Sequence, residues 1–380
     1  MTTAAAARAD VVVVGAGVIG LAVAWQVAAT GAQVVVCDPA PGSGASWAAA
    51  GMLAPVTEAR GGEPALTALR MASAARWSEF AARLEAASGR EVGLRTEGTL
   101  VAAVDDDDRR ALDELAAVHA GLGLAGQRLT GGAARALEPL LQPRLRAGLL
   151  VPGDHQVDPR AVLGALLVAG ESLGVEVRTA AVEAIRGEGQ GVSGVTLGDG
   201  TVLDAPVVVV AAGARSGGIE VPGPGGPAPL RPVKGQILRL RFDPADPPLS
   251  HTVRALVHGW SVYLVPRAGG ELVIGATMEE QGFDIRVTAG AVADLLGAAI
   301  EVVPDVGELE LVECTARSRP ATPDDGPVLG AGPRPGVIYA TGHHRNGVLL
   351  APVTVDAVLA ALAGVPLPDV ARPFGAERFG

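Results

Sequence analysis

The chain has 380 residues, of which 49% are hydrophobic and only 3% aromatic, so its cores must be built from Ala, Val and Leu in one large or two interleaved domains. The net charge is −11 with no basic stripe, which excludes a nucleic-acid binder and suits a soluble cytoplasmic protein. Cys37 and Cys314 are too few for a disulfide framework and lack metal-ligand spacing, so reduced thiols and no metal are expected.

A strand over 10–14 opens the chain, a run of consecutive valines of the kind buried on both faces. Gly15-Ala16-Gly17-Val18-Ile19-Gly20 follows, then an apolar helix over 21–29 ended by Gly31, and a second strand over 33–37 closed by Asp38. The apolar stretch 11–29 superficially resembles a signal-peptide core, but Gly15, Gly17, Gly20 and Gln26 interrupt it, and no membrane helix is expected. Strand, glycine turn, helix, strand and acid together form a dinucleotide fingerprint. Gly15 permits the tight turn, Gly17 admits a pyrophosphate to the backbone, and Gly20 lets the helix pack close to the sheet. The helix start offers free N–H groups to phosphate. Asp38, eighteen residues past Gly20, can accept both ribose hydroxyls and would repel a 2′-phosphate. The motif alone does not separate FAD from NAD. The small-residue stretch Pro41-Gly42-Ser43-Gly44-Ala45-Ser46-Trp47-Ala48-Ala49-Ala50-Gly51-Met52 would allow a bulky planar ligand close to backbone, although a plain loop would share its composition.

Residues 64–87 read as a helix and 99–104 as a strand. The acidic run 105–108 reads as a helix N-terminus favoured by the macrodipole, with the helix running to about residue 120. Asp158 and Pro159 are a cap and first-turn pair for a helix through Leu173, followed by a strand over 175–178. Gly198-Asp199-Gly200-Thr201 is a hairpin turn within 191–203. The strand 207–210 is again all valine and ends in Ala211-Ala212-Gly213, small residues suited to a ligand crevice. The Pro/Gly-rich segment 218–229 reads as a domain crossing. Strands then predominate, over 236–242, 261–266, 272–276 and 308–316, with one helix near 288–301. A last core strand over 337–340 leads through the turn 342–347 into a final helix over 353–363.

The first βαβ unit, the strand 207–213 and Gly342-His343-His344-Arg345-Asn346-Gly347-Val348-Leu349-Leu350-Ala351-Pro352 together resemble the D-amino-acid oxidase family of flavoproteins, and within it the glycine oxidases of thiamine biosynthesis most. Ala49-Ala50-Gly51-Met52, Tyr263-Leu264-Val265-Pro266-Arg267 leading to Gly275-Ala276-Thr277-Met278, and Arg319-Pro320-Ala321-Thr322-Pro323-Asp324 carry the same likeness, which covers nearly the whole chain. The resemblance implies an α/β fold in which a Rossmann-like FAD-binding domain (1–85, 147–222 and 318–380) is interleaved with an antiparallel-sheet α+β substrate domain (86–146 and 223–317). It places FAD against Gly15, Ala16, Gly17, Val18, Ile19, Gly20, Asp38, Ser46, Ala49, Ala50, Gly51 and Met52. Val182, Ala212 and Gly213 fall toward the adenosine side, and the backbone of His344, Arg345, Asn346, Gly347, Val348 and Leu349 toward the flavin C2 carbonyl. The substrate carboxylate falls on Arg319, the pocket tyrosine on Tyr263, its bordering methionines on Met52 and Met278, and a second arginine on Arg345.

The resemblance further implies oxidation of glycine, and of sarcosine or small D-amino acids, by hydride transfer to flavin N5, with no catalytic base required and oxygen as acceptor. Adjacent histidines in a glycine turn read as loop residues, so His343 and His344 are not assigned as bases. Two other readings stay open: a D-amino-acid or N-methyl-amino-acid dehydrogenase with another acceptor, and a non-catalytic flavin-binding protein. Homo-oligomers are common in the family, so one is expected here. The family often has Glu where Asp38 stands, Trp where Arg215 stands, and in at least one relative His where Ser261 stands, which opens the fine specificity. Sarcosine-type relatives tether FAD through a cysteine whose position falls near Arg317. Cys314 is offset from it, so non-covalent FAD is expected.

Overall fold

A computed structural model describes residues 7–124, 126–189, 191–222 and 229–379. Strands buried on both faces need apolar side chains at every position, and Val11–Val14 and Val207–Val210 supply them. These lie side by side in a six-stranded sheet whose order is Val328–Ala331, Val337–Thr341, Val207–Val210, Val11–Val14, Val34–Cys37, Glu176–Arg178. All neighbours are parallel except the edge strand Val328–Ala331. Strand alternation divides the valines between two cores. Val11, Val13, Val34, Val36 and Val209 meet the helices Val18–Ala28, Pro159–Ser172 and Ala351–Leu362. Val12, Val14, Val35, Val208 and Val210 meet Ile185, Val195 and Leu203 of a four-stranded sheet behind.

The second large sheet has eight strands, ordered Glu310–Ala321, Arg231–Arg241, Glu271–Gly275, Trp260–Pro266, Thr252–Val257, Thr99–Ala103, Ala147–Val151, Gln127–Thr130. It is antiparallel apart from the pair Thr252–Val257 and Thr99–Ala103. Leu100, Val253, Leu264, Ile274 and Leu238 point to one face and pack under the helix Ala289–Val302. On the other face the helix Asp106–Gly121 covers Val101, Ala103 and Leu149 through Leu112, and the uncovered remainder of that face forms one wall of the site described below. Among the described residues no helix is long and apolar enough to cross a membrane.

Local signals act as the sequence suggests. Asp105 accepts from the Asp107 and Asp108 amides at 2.8 Å in a capping box, and Asp158 caps the helix that Pro159 begins. The expected helix over 64–87 is two helices, Pro64–Ala74 and Trp77–Ser88, which turn at Ala75 and Arg76 so that Leu69 and Trp77 can serve different clusters. Several strands had no expectation, among them Gln127–Thr130, Ala147–Val151, Val182–Glu188, Thr252–Val257 and Val328–Ala331. The crossings expected at 85/86, 146/147 and 317/318 fall inside or ahead of continuous elements. Trp77–Ser88 is one helix, Ala147–Val151 pairs in the eight-stranded sheet, and Glu310–Ala321 stays paired with Arg231–Arg241 to its end. The linker over 218–229 lies outside the described residues for 223–228.

Close approach of helix Val18–Ala28 to the sheet rests on Gly20, where an added Cβ would lie 1.9 Å from the Gly15 carbonyl oxygen. That oxygen is backbone and has no rotamer with which to retreat. Gly20→Ala is therefore expected to destabilise the protein by about 1–3 kcal/mol through overpacking. Denaturant unfolding of the protein freed of ligand checks it, and an unchanged midpoint would refute the close contact.

Candidate active site

The carboxyl ends of the parallel strands open onto a cavity of about 1200 Å³ that runs between the two large sheets. At its inner end Gly15 has φ +108°, and a Cβ there would meet the Ala211 carbonyl oxygen at 2.5 Å. Gly17 is the N-cap of helix Val18–Ala28 and supplies no side chain to its free amides. The Val18 amide donates instead to Ser46 Oγ at 3.0 Å, across the small-residue loop. Asp38 accepts from the Ala16 amide through Oδ2 and from the Ala40 amide through Oδ1, both at 2.8 Å. Each carboxylate oxygen keeps a further lone pair for a hydroxyl. Bare backbone, a helix start and an acid at the next strand end fit the ribose and pyrophosphate of a dinucleotide. Val18, Ile19, Val182, Ala212 and Gly213 line the same space. Ala16 and Gly20 do not. Ala16 packs into the helix-side core and Gly20 abuts the Gly15 oxygen, so both shape the turn from behind.

Midway, the loop carrying Ser46, Ala49, Ala50, Gly51 and Met52 lines one side of the cavity. Gly51 has φ +71°, and a Cβ there would lie 2.1 Å from the Val157 oxygen. Two buried arginines of the eight-stranded sheet hold this loop. Arg267 donates to the carbonyl of Ala50 and, at 2.7 Å, to that of Val157. Arg239 donates to the Trp47 carbonyl at 3.2 Å and pairs with Glu271. Burial lowers the Arg267 pKa to about 10, which still leaves it charged. The sequence quoted Arg267 in a motif without giving it this work.

Opposite lie His344, Arg345, Asn346, Gly347, Val348 and Leu349. Ser73 Oγ and Trp77 Nε1 both donate to the Leu349 carbonyl, at 2.7 and 2.9 Å, and fix the end of the turn. His343 Nε2 is 2.8 Å from Thr354 Oγ1. Burial brings His343 down to about 3, and brings His344 down to about 4 against the pull of Asp325. Both rings are neutral near pH 7.

The outer end is built on the uncovered face of the eight-stranded sheet. Arg254, Tyr263, Gly275 and Ile237 are direct partners across four adjacent strands and so share a face. A Cβ at Gly275 would meet the Tyr263 hydroxyl at 2.4 Å, and one at Gly235 would meet both terminal nitrogens of Arg319 at 2.3 Å. Two glycines thus clear the floor for Tyr263 and Arg319 to lie together. Arg319 Nη1 also donates to the Thr277 carbonyl at 3.1 Å. Burial raises the Tyr263 pKa, so its hydroxyl is neutral. Glu58 reaches in from the loop after Leu53 and pairs with Arg254 and Arg345. Burial alone would raise its pKa, but the two guanidiniums override that and hold it at about 2. The loop is pinned from behind by the buried Asp154 carboxylate, which accepts from the Val56 and Thr57 amides at 2.9 and 2.8 Å. Met52 lies beside Tyr263 in a small apolar cluster, whereas Met278 is 64% exposed at the mouth. There Arg215 stacks over Phe283 at 5.0 Å.

The structure therefore brings Arg319, Tyr263, Met52, Met278 and Arg345 to one cavity with the dinucleotide residues. Sequence reasoning missed Glu58, Arg254 and Gly235, and quoted Gly275 in a motif without giving it a role. Alternation of Val253, Ala255 and Val257 around Arg254 was the available signal. Cys314 pairs with Leu238 and packs toward helix Ala289–Val302, on the face away from the cavity, while Arg317 lines the cavity. Asp105, Asp108 and His258 form the one group of converging ligand atoms among the described residues. Their carboxylates are occupied by the amides of Asp107, Asp108, His258 and Gly259.

The family described as FAD dependent oxidoreductase (DAO) matches residues 10–361. Glycine oxidase of Geobacillus kaustophilus is 36% identical over 351 residues, which are 91% of this chain and 91% of that one. Its crystal structure superposes with a TM-score of 0.89, covering 98% of this chain and 99% of that chain. The bifunctional protein ThiO/ThiG of Nostoc sp. is 34% identical over 347 residues, and the chain spans about half of it, 51%.

Two consequences of this geometry can be measured. Because Glu58 sits at about 2 in the folded state, below its ordinary 4.5, its ion pairs stabilise the protein above pH 4.5 and fade as pH falls toward 2. The wild-type advantage over Glu58→Gln in urea unfolding is expected to be on the order of 3 kcal/mol near neutrality and to shrink on acidification. An advantage independent of pH would refute a charged Glu58. Arg267→Met should strip the Ala50 and Val157 carbonyls of a charged donor, costing about 2–4 kcal/mol and loosening the small-residue loop. Faster flavin release, followed by flavin fluorescence, checks that loop's role.

Proposed function

The chain belongs to the FAD dependent oxidoreductase family, and on that premise we propose that it oxidises glycine to its imine, with oxygen reduced to hydrogen peroxide. The imine is hydrolysed to glyoxylate and ammonia or passes to thiazole formation in thiamine synthesis. One observation carries this reading: Arg319 lies in a two-glycine clearing beside Tyr263, in the same cavity as a dinucleotide cradle. The 36% identical glycine oxidase and the ThiO/ThiG proteins support the substrate and the pathway.

A planar guanidinium pairs bidentately with a carboxylate, which fixes the substrate's orientation as well as its presence. Tyr263, neutral and in contact with Arg319, supplies a second donor to the same carboxylate. With the carboxylate anchored, a two-carbon amino acid has one methylene left to present toward the middle of the cavity. FAD, when bound without a covalent tether, supplies the two-electron acceptor for that carbon's hydride and returns the electrons to oxygen. The residues from Gly15 to Asp38, the loop 46–52 and the turn 344–349 would hold it. The chain's own contribution is alignment and exclusion of water, and alignment suffices where the amine arrives unprotonated. The neutral His343 and His344 add no charge to repel an ammonium or to compete for the carboxylate. Ser261 is small and lines the cavity, and sarcosine is expected as a substrate alongside glycine.

The purified protein is expected to show flavin absorption that bleaches with glycine in the absence of oxygen and returns, with peroxide, on admitting air. A flavin that no small amino acid bleaches would remove the reading. Arg319→Ala should lose roughly 2–4 kcal/mol of transition-state binding for glycine, since a buried charge-assisted pair is left half-made. Steady-state kcat/KM checks the loss, and an unchanged value would remove Arg319 from the carboxylate site.

A further inference from the structure

An arginine that holds a carboxylate by two parallel bonds must keep its plane at one angle. The Arg319 guanidinium lies over Gly235, where both its terminal nitrogens and the carbon between them come within 2.4 Å of the place a Cβ would take. Bare backbone beneath the flat face fixes its height and leaves it free to turn in its own plane. Nη1 stops that turn. It donates to the Thr277 carbonyl at 3.1 Å and to the Lys234 carbonyl at 3.4 Å. The direction of Arg319 is therefore set by two backbone oxygens and by whatever holds them still.

Glu279 holds both. Strand Glu271–Gly275 has ended four residues earlier, yet the chain rejoins strand Arg231–Arg241 at Glu279. The Glu279 amide donates to the Lys234 carbonyl at 3.0 Å, and the Lys234 amide to the Glu279 carbonyl at 2.9 Å. The carboxylate completes the hold. Oε2 is 3.3 Å from Lys234 Nζ, and Oε1 accepts from the Thr277 hydroxyl at 2.5 Å and from Gln236 Nε2 at 2.8 Å. The Thr277 hydroxyl accepts in turn from the Gln236 amide at 2.9 Å. Lys234 is the only lysine in the sequence, and it is buried. A buried ammonium needs an anion beside it, and Glu279 supplies one from the position directly opposite. Thr277 and Arg319 line the cavity, whereas Lys234, Gln236 and Glu279 stand behind its wall.

We propose that Glu279 is a positioning residue for the oxidation. By locking the Lys234 and Thr277 carbonyls it aims Arg319, and so fixes the angle at which the substrate carboxylate, and with it the carbon to be oxidised, is presented. The role rests on Arg319 being the carboxylate site.

Propionate carries a carboxylate and no amine to oxidise. Its binding to the holoenzyme, read from the flavin's visible spectrum, reports the hold of Arg319 apart from turnover. Sulfite adds to the flavin itself and needs no bidentate arginine, so it reports the flavin's surroundings. Glu279→Ala and Thr277→Val are each expected to weaken propionate about tenfold, the value of one bond lost from a bidentate pair, with sulfite affinity undiminished. Thr277→Ser keeps the hydroxyl and should bind propionate as wild type does. With glycine, kcat should fall as well as KM rise in the two weakened variants, because the carbon is no longer aligned. Unchanged propionate affinity in both would overturn the proposal. Propionate and sulfite weakened alike would also overturn it, assigning the cluster to general support of the fold. Thr277→Val removes one hydroxyl and keeps the side chain's shape, so the test does not depend on Glu279→Ala folding. Arg319→Ala separates the two readings. Propionate lost there and kept in the other variants overturns the role of Glu279 and leaves Arg319 as the carboxylate site, whereas propionate indifferent to Arg319→Ala removes that site and the role of Glu279 with it.

Discussion

Contact between backbone and backbone at the first turn is the constraint on which the rest of the structure depends. Gly20 stands where a Cβ would sit 1.9 Å from the Gly15 oxygen, and Gly15 where one would sit 2.5 Å from the Ala211 oxygen. Strand Val11–Val14, helix Val18–Ala28 and the end of strand Val207–Val210 therefore meet with nothing between them. That closeness puts the helix start, the Ala16 amide and the Asp38 carboxylate at one place. A methyl at either glycine would push the helix off the sheet and carry the N–H groups away from the cavity. The all-valine strands serve the same end, since a sheet sandwiched between helices and a second sheet has no solvent face to relax toward.

The outer end of the cavity is governed by charge. A chain of net charge −11 gathers Arg254, Arg319 and Arg345 around one cavity. Guanidiniums so placed need support, because taking them out of water is costly. Glu58 provides it for Arg254 and Arg345, and backbone carbonyls provide it for Arg319. Glu58 is itself held by its loop, and the loop by Asp154, whose oxygens take the Val56 and Thr57 amides and the Thr57 hydroxyl. Asp154 follows a strand of the eight-stranded sheet. The anchor of the acid thus comes from the sheet that carries Arg254 and Arg319, while Arg345 reaches Glu58 from the turn after Val337–Thr341.

How much of this was legible follows from how local each determinant is. The dinucleotide end is encoded in contiguous residues, where a valine run, glycine spacing and an acid report their own geometry. The caps at Asp105 and Asp158 are as local and read as easily. Arg319 and Tyr263 were reached through resemblance, with no periodicity pointing at them. Arg254 escaped because Thr252–Val257 reads weakly as a strand, and its meaning comes only from standing opposite Tyr263. Glu58 escaped because a lone acid in a loop is ordinary until two arginines from residues 254 and 345 close on it. Gly235 and Gly275 sit among 52 glycines, and nothing in one dimension marks the pair that clears space for Arg319 and Tyr263. A strand such as Ala147–Val151 declares its sheet only through its partners.

The seam between the two sheets explains why the site can be both open and rigid. The ligand-facing loop 46–52 belongs in sequence to the dinucleotide half, yet its carbonyls are held by Arg239 and Arg267 from the other. Arg160, on a helix of the first half, pairs with Glu313 of the second at 2.8 Å and lies over Trp47 at 4.0 Å from the ring centroid. Every one of these ties is an arginine, and most end on backbone oxygen. A guanidinium can serve several carbonyls at once while its stem fills apolar space. In a protein with few aromatic residues to wedge between layers, that property matters more than usual. The same residue type that would bind the substrate also joins the walls around it. Placement of Arg319 and Tyr263 relative to the turn from Gly15 to Asp38 is then set by the seam itself.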